Sequence, residues 1–233
     1  MNNVAKVFLD YGHGGSDPGA SGQGLVEKER NFTIGRRIKY HLERHSVQVI
    51  ESRSGDTNPT LTERSNKANN NNVDASISIH CNAFNGQAKG VETYTYGTGA
   101  NEIRLAQKVH NAVINAGLYK SNRGIKQGNL HMVREPKMAA ILIEMAFIDN
   151  SEDAVLLKNK GEEFAVAIAK GILEYVGVSY KAETTSTNTF TSTGKKTYYR
   201  VVCGSYTDRT NAVLQQDKLK KSGYTSFIDV YEK

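Results

Sequence analysis

The sequence predicts an α/β fold: a twisted mixed, mostly parallel sheet with helices on both faces, plus a small C-terminal βαβ module. Three observations carry this. Apolar runs rich in β-branched residues alternate with segments of helical period through residues 1–178. One of those runs follows its predecessor after too short a gap for a crossover helix, so it must lie antiparallel. Beyond them, eight of the ten residues 184–193 are Ser or Thr and Phe190 is the sole hydrophobe, a composition with almost nothing to bury. The division that follows is 1–178, a linker over 179–195, and 196–233.

Taken in order, residues 4–10, 47–51, 75–80, 90–96, 130–134 and 140–147 read as strands. Ile34, Ile38 and Leu42 recur at i, i+4, i+8 and set an apolar stripe on a helix over 31–45. Residues 60–69, after Pro59, form a weaker helix, and the asparagines at 69–72 read as its exit into a solvated turn. Ile103, Ala106, Val109 and Val113 share one face of a helix over 100–116. The last helical region spans 151–176, with Ser151 as N-cap and Glu152 and Asp153 favouring the dipole. The strand over 90–96 alternates Val91, Thr93, Thr95 against Glu92, Tyr94, Tyr96 and is the expected antiparallel edge. In the tail, 198–203 and 226–231 read as strands around a helix over 208–221 with Ala212, Val213 and Leu219 inward.

The 233 residues suit one substantial domain and a small extra module. No apolar run approaches the ~18 residues of a membrane span, and no long apolar segment follows the first six residues as an export signal requires. Synthesis in a cytoplasm is expected. Cys81 and Cys203 form no C-x-x-C pair, so neither a cysteine metal site nor a disulfide framework is indicated. Residues 1–178 carry 21 basic and 19 acidic groups, whereas 195–233 carry 8 and 4, which favours a polyanion near the tail: wall polymer, nucleic acid or anionic lipid.

Ligands of open α/β sheets bind beyond the carboxyl ends of the strands. There the first strand runs into Asp10-Tyr11-Gly12-His13-Gly14-Gly15, the third ends at His80, and the sixth contains Glu144. Glu27 follows the glycine-rich loop, shortly before the first helix. Two imidazoles and a carboxylate can hold zinc and leave a position for water, with a second carboxylate as base. A histidine at a strand end is more often scaffold than ligand. Glu144 is less easily dismissed, since a carboxylate between Ile143 and Met145 is costly to bury without a partner. His41 and His45 share a helix face at i, i+4 but lack the glutamate of H-E-x-x-H, so packing or capping is expected of them. His110 and His131 have no ligand partner at readable spacing, although His131 could line a groove.

The motifs Asp10 to Gly15 with Asp17-Pro18-Gly19-Ala20, then Glu27, then Ser78-Ile79-His80-Cys81-Asn82-Ala83, then Leu142-Ile143-Glu144-Met145-Ala146-Phe147-Ile148-Asp149-Asn150 resemble, in this order, the type-3 zinc-dependent N-acetylmuramoyl-L-alanine amidases. The resemblance covers about 4–177. It implies one zinc (Zn2+) per chain on His13, Glu27 and His80, Glu144 as the catalytic glutamate, and bacterial peptidoglycan as substrate. Some relatives insert a blocking helix before the catalytic strand; here the stretch from His80 to Glu144 is filled by a strand, a helix and a strand, so an open site is expected.

The tail, from Tyr198-Tyr199-Arg200-Val201-Val202-Cys203-Gly204 to Tyr224, resembles one repeat of the sporulation-related (SPOR) peptidoglycan-binding domain, over about 196–230. One repeat rather than the usual two implies a half-domain that pairs with a second copy, giving a homodimer, or packs on its own chain. Neither a nucleic-acid nor a membrane partner is expected. Without an export signal the enzyme must reach the wall by another route, as phage endolysins and mother-cell lysins do, and an endolysin is the first choice. The rivals are a zinc peptidase cutting within the stem peptide, a wall-binding protein without activity, and a nucleic-acid binder.

Overall fold

The computed structural model describes residues 4–119, 121–183, 203–221, 226 and 228, and the chain divides into two compact units, 1–183 and 184–233. In the first unit β1 (Lys6–Tyr11) is followed by a hairpin of β2 (Ser21–Gly22) and β3 (Leu25–Val26), helix α1 (Glu27–Glu43), β4 (Gln48–Glu51), α2 (Leu61–Asn70) and β5 (Ala75–Asn82). Then come β6 (Val91–Thr95), α3 (Ala100–Asn115), β7 (Asn122–Gln127), α4 (His131–Arg134), β8 (Ala139–Phe147), α5 (Ser151–Asn159) and α6 (Gly161–Tyr175). The six-stranded sheet has the order β4-β1-β5-β8-β6-β7. Strands β4, β1, β5 and β8 are parallel, and β6 runs antiparallel to β8.

The sheet is mixed and mostly parallel, as the sequence predicts, and the central strands read as apolar runs because both faces are covered. On one face Ile77, Ile79, Ile141, Ile143 and Met145 join Ile34, Ile38 and Leu42 of α1, Leu105, Val109 and Val113 of α3, and Phe164, Ile168 and Ile172 of α6 in the main core. On the other, Phe8 packs with Ala68 of α2 and Met132 of α4, so only part of that face is apolar. The remainder presents Asp10, Ser78, His80, Glu144 and Glu92, the alternate residues of four adjacent strands.

Several expectations need correction. The strand expected over 130–134 is instead the short helix α4, with Met132 and Val133 buried; three apolar residues among five carry no period that separates the two. The unpredicted β7, Asn-Arg-Gly-Ile-Lys-Gln, forms the edge, so β6 is antiparallel but internal. Helix α1 begins at Glu27, four residues early, directly from the hairpin. The single helix expected over 151–176 is broken at Lys160, and its N-cap is Asn150, whose side chain accepts from the amides of Glu152 and Asp153. The capping box at Thr60 and Glu63 explains why α2 forms despite its weak apolar pattern. Packing also continues past residue 178: Tyr180 stacks on His45 with ring centroids 5.0 Å apart.

In the second unit α7 (Arg209–Lys221) coincides with the expected helix, and Asp208 Oδ1 accepts from the amides of Thr210 and Asn211 at its start. Ala212 and Leu219 are half-buried, but Val213 is exposed rather than inward. Of the linker expected over 179–195, residues 184–195 lie outside the described residues, as do nearly all of the two flanking strands. Among the described residues no helix is long and apolar enough to cross a membrane.

Candidate active site

The ends of β1, β5 and β8 bring the predicted residues to one place. Gly12 donates to Ile79 O, which ties the chain leaving β1 to β5. A side chain at Gly12 would collide with the His80 ring, as a Cβ there would sit 2.3 Å from it, so glycine is what lets the loop pass His80. His13 then takes a left-handed backbone, φ 62°. Two buried arginines hold that conformation by its carbonyls. Arg64 donates to Tyr11 O at 2.8 Å and His13 O at 2.9 Å, and Arg53 donates to Tyr11 O at 3.1 Å. Arg64 is balanced by buried Asp10 at 2.8 Å, which also accepts from Ser78 Oγ. Burial would raise the Asp10 carboxyl, but Arg64 and Ser78 hold it below its ordinary value.

His13, Glu27 and His80 form a cluster in which one ligand-capable atom of each lies within 4.8 Å of the others. Glu27 Oε2 lies 3.1 Å from His13 Nε2, and Oε1 lies 2.9 Å from His80 Nδ1. The carboxylate also accepts from the amides of Ala20 and Cys81 and from Asn31 Nδ2, one turn along α1. Against burial, which pushes it up, the two imidazoles drive the Glu27 pKa far below the usual carboxylate range. The bond to Glu27 raises His13 to about 9, with Asp17 adding to it. Asp17 Oδ2 accepts from His13 Nδ1 at 2.8 Å, fixing the ring with Nε2 toward the cluster.

Glu144 stands opposite His80 in the register of β5 and β8. Its Oε2 is shielded from solvent and has no hydrogen-bond partner among the described residues. Burial, partly offset by His80, pushes its pKa up to about 7. The side chains of His13 and His80 keep 25% and 18% exposure, so solvent reaches the cluster. Two imidazoles and one carboxylate, beside a carboxyl held near neutrality, are the donor set of a catalytic zinc site, and these residues fit that group.

The other candidates lie elsewhere. His41 Nε2 pairs with Glu162 at 2.8 Å, and His45 Nδ1 bonds the carbonyl of His41, a packing and capping pair. His110 bridges Thr93 and Asn122, and His131 bonds Ser65. Sequence reasoning missed Arg53, Arg64 and Asn31 as supports and Glu92 as a neighbour. The signal for Arg64 was its place beside Ala68 on the inward face of α2.

Residues 7–174 match the family described as N-acetylmuramoyl-L-alanine amidase, and residues 178–229 match the SPOR domain, a longer stretch than its motifs alone marked. The chain is 33% identical over 228 residues to the sporulation-specific N-acetylmuramoyl-L-alanine amidase of Bacillus subtilis, covering 97% of this chain and 84% of that one. It is 35% identical over 186 residues to the endolysin of Bacillus phage SPP1, covering 76% and 68%. Among solved structures it is similar to the N-acetylmuramoyl-L-alanine amidase AmiC2 of Nostoc punctiforme, with a TM-score of 0.71, 34% identity, and coverage of 74% of this chain and 97% of that one.

Proposed function

Since the chain belongs to the N-acetylmuramoyl-L-alanine amidase family and so hydrolyses the bond between N-acetylmuramic acid and L-alanine in peptidoglycan, we propose that His13, Glu27 and His80 hold one zinc ion and that Glu144 is its general base and acid. The observation that carries this is the unpartnered oxygen of Glu144, in register with His80 at the edge of the cluster. When bound, zinc supplies a Lewis acid for the amide oxygen and lowers the pKa of its water from 15.7 toward ~7. Glu144 takes the proton of the attacking water and returns it to the amide nitrogen as the carbon–nitrogen bond breaks, a task suited to a carboxyl near neutrality. Asp17 keeps the His13 proton on Nδ1, and Arg53 and Arg64 hold the loop that aims the ring. Digestion of purified wall tests the reading: intact stems with L-alanine at the new amino terminus are expected, and termini from within the stem would transfer the site to a peptidase.

The tail is the wall-binding part of the same enzyme, tethered through the Ser/Thr-rich linker. Its match to the SPOR domain and its surplus of four positive charges over 195–233 support this. We assign it a half-domain that pairs with a second copy, which sedimentation checks: a dimer for the full chain and a monomer for a fragment of residues 1–183. The match to the sporulation-specific relative runs through both parts of the chain, whereas that to the endolysin spans 186 residues. This favours a role in a sporulating cell over one in phage infection; a protein synthesised late in sporulation is the expected finding.

A further inference from the structure

Beyond Glu144 the same face of the sheet carries a charge arrangement that hydrolysis does not use. The register sets His80 beside Glu144 and Glu144 beside Glu92, so a polar row crosses β5, β8 and β6 and ends at the edge strand β7. Glu92 is 3% exposed and accepts from Arg123 Nε at 2.7 Å, Lys126 Nζ at 2.6 Å, Asn82 Nδ2 at 2.7 Å and the Tyr94 hydroxyl at 2.8 Å. Against the rise that burial causes, these donors bring its carboxyl down to about 2. It is therefore an anion at every working pH, yet it meets two cations, and one positive charge is left over.

That surplus faces outward. The Arg123 and Lys126 side chains are 35% and 38% exposed. Arg123 engages Glu92 only through Nε, and among the described residues its two terminal nitrogens bond nothing, which leaves the end of the guanidinium fork for a carboxylate. The group is also fixed in advance: its central carbon lies 4.9 Å from the centroid of the Phe147 ring, and Lys126 Nζ lies 6.0 Å from that of Tyr94.

We propose that Arg123 and Lys126 form a carboxylate-binding subsite for the peptide stem, an inference that rests on the amidase reading above. The glycan side offers no such ligand near the cut, because the lactyl carboxyl of the muramic residue is itself consumed in the scissile amide; the peptide side carries free carboxylates. From β8 to β7 is two strand spacings, about 10 Å. An extended peptide advances about 3.4 Å per residue, so the carboxylate recognised belongs to the second or third residue after the cut. Buried Glu92 is then a positioning residue, holding both cations on the rim while screening their charge from Glu144.

The test compares purified wall with the same wall after its free carboxyls have been converted to amides by carbodiimide and ammonia, for the full-length, zinc-loaded protein. The rate of release of amino-terminal L-alanine is read on both. The parent is expected to favour untreated wall by about tenfold, the lower end of what a charge-assisted, forked hydrogen bond contributes. Arg123→Gln should bring that ratio close to one, and Arg123→Lys and Lys126→Gln should lower it in part. Wall binding by the tail is common to parent and variants and cancels in the comparison. A misfolded variant loses both rates together and keeps the ratio, in which case Lys126→Gln decides. A parent that cuts both walls equally, or variants that all keep the parent's ratio, overturns the subsite alone. A parent that frees no L-alanine termini from either wall overturns the amidase reading, and the subsite with it.

Discussion

Glu27 and Glu144 stand on either side of His80, and their surroundings drive them in opposite directions. Glu27 receives two imidazole contacts, two backbone amides and an asparagine, and is held far below the usual carboxylate range. Glu144 has an oxygen with no partner among the described residues, and burial pushes its pKa up to about 7. Residue type is the same; the count of donors differs. A carboxylate saturated by donors can hold a metal but has no reason to move a proton, whereas one starved of donors sits at the pKa that proton transfer requires. The division of labour in the site thus follows from hydrogen bonding on the two sides of His80.

Exchanging the residues one at a time should separate the two roles. Glu144→Gln is expected to lose roughly 10²- to 10⁴-fold in kcat on purified wall, with bound zinc unchanged by metal analysis; lysis within a few-fold of the parent would remove Glu144 from the mechanism. Glu27→Gln and His80→Ala should do the reverse in order of events, losing metal first. Their zinc dissociation constants should rise by at least about 100-fold, more than the loss of a supporting contact causes, as titration against a competing chelator measures. If Glu27→Gln keeps tight zinc and full activity, the contrast between the two glutamates is broken.

How much of this could be read beforehand depends on whether a residue's surroundings are local in sequence. His13, His80 and Glu144 were legible because strand ends follow from apolar runs, and a strand end is where such folds bind ligands. Glu27 was placed correctly near the site but outside the helix, because α1 starts from a two-residue strand that leaves no periodic trace. Arg64 shares the inward face of α2 with Ala68, but nothing local named its buried partner, Asp10, which is 54 residues away. Glu92 and Tyr94 alternated with Val91 and Thr93 as the polar face of an edge strand should, yet that face is covered by β7 side chains. Strand β7, with Ile125 as its one hydrophobe, had no apolar run to announce it. The tail helix was legible from its spaced apolar residues, although Val213 was assigned inward and is exposed.

A smaller change tests the support of the Glu27 side. Asp17 touches no other member of the cluster than His13, and acts by holding Nδ1. Asp17→Asn keeps the size of the side chain and removes its charge, so zinc affinity should fall by about tenfold, at the weak end for a supporting contact to a ligating histidine. Asp17→Ala should cost more. An affinity unchanged in both would mean that the Arg64 bond to His13 O aims the ring unaided.

The smallest expected effect is on stability, and its sign comes from the raised pKa of Glu144. In the metal-free protein the folded-state value is about 7 against 4.5 for the ordinary group. Below pH 4.5 both folded and unfolded chains hold the proton, and the residue costs nothing. Between 4.5 and 7 the unfolded chain releases its proton while the folded chain retains it, so stability falls as pH rises; above 7 the loss is complete and constant. Glutamine carries no such cost. Glu144→Gln should therefore match the parent at pH 4 and exceed it at pH 8 by about 2 kcal/mol, after allowance for partial exposure of the site. That corresponds to a rise of roughly 5 °C in Tm. Thermal unfolding of both proteins, stripped of metal by chelator, at the two pH values gives the comparison directly. Equal gaps at pH 4 and pH 8 would show that the orphaned oxygen of Glu144 finds a donor in solution, and the contrast with Glu27 would then lose its physical cause.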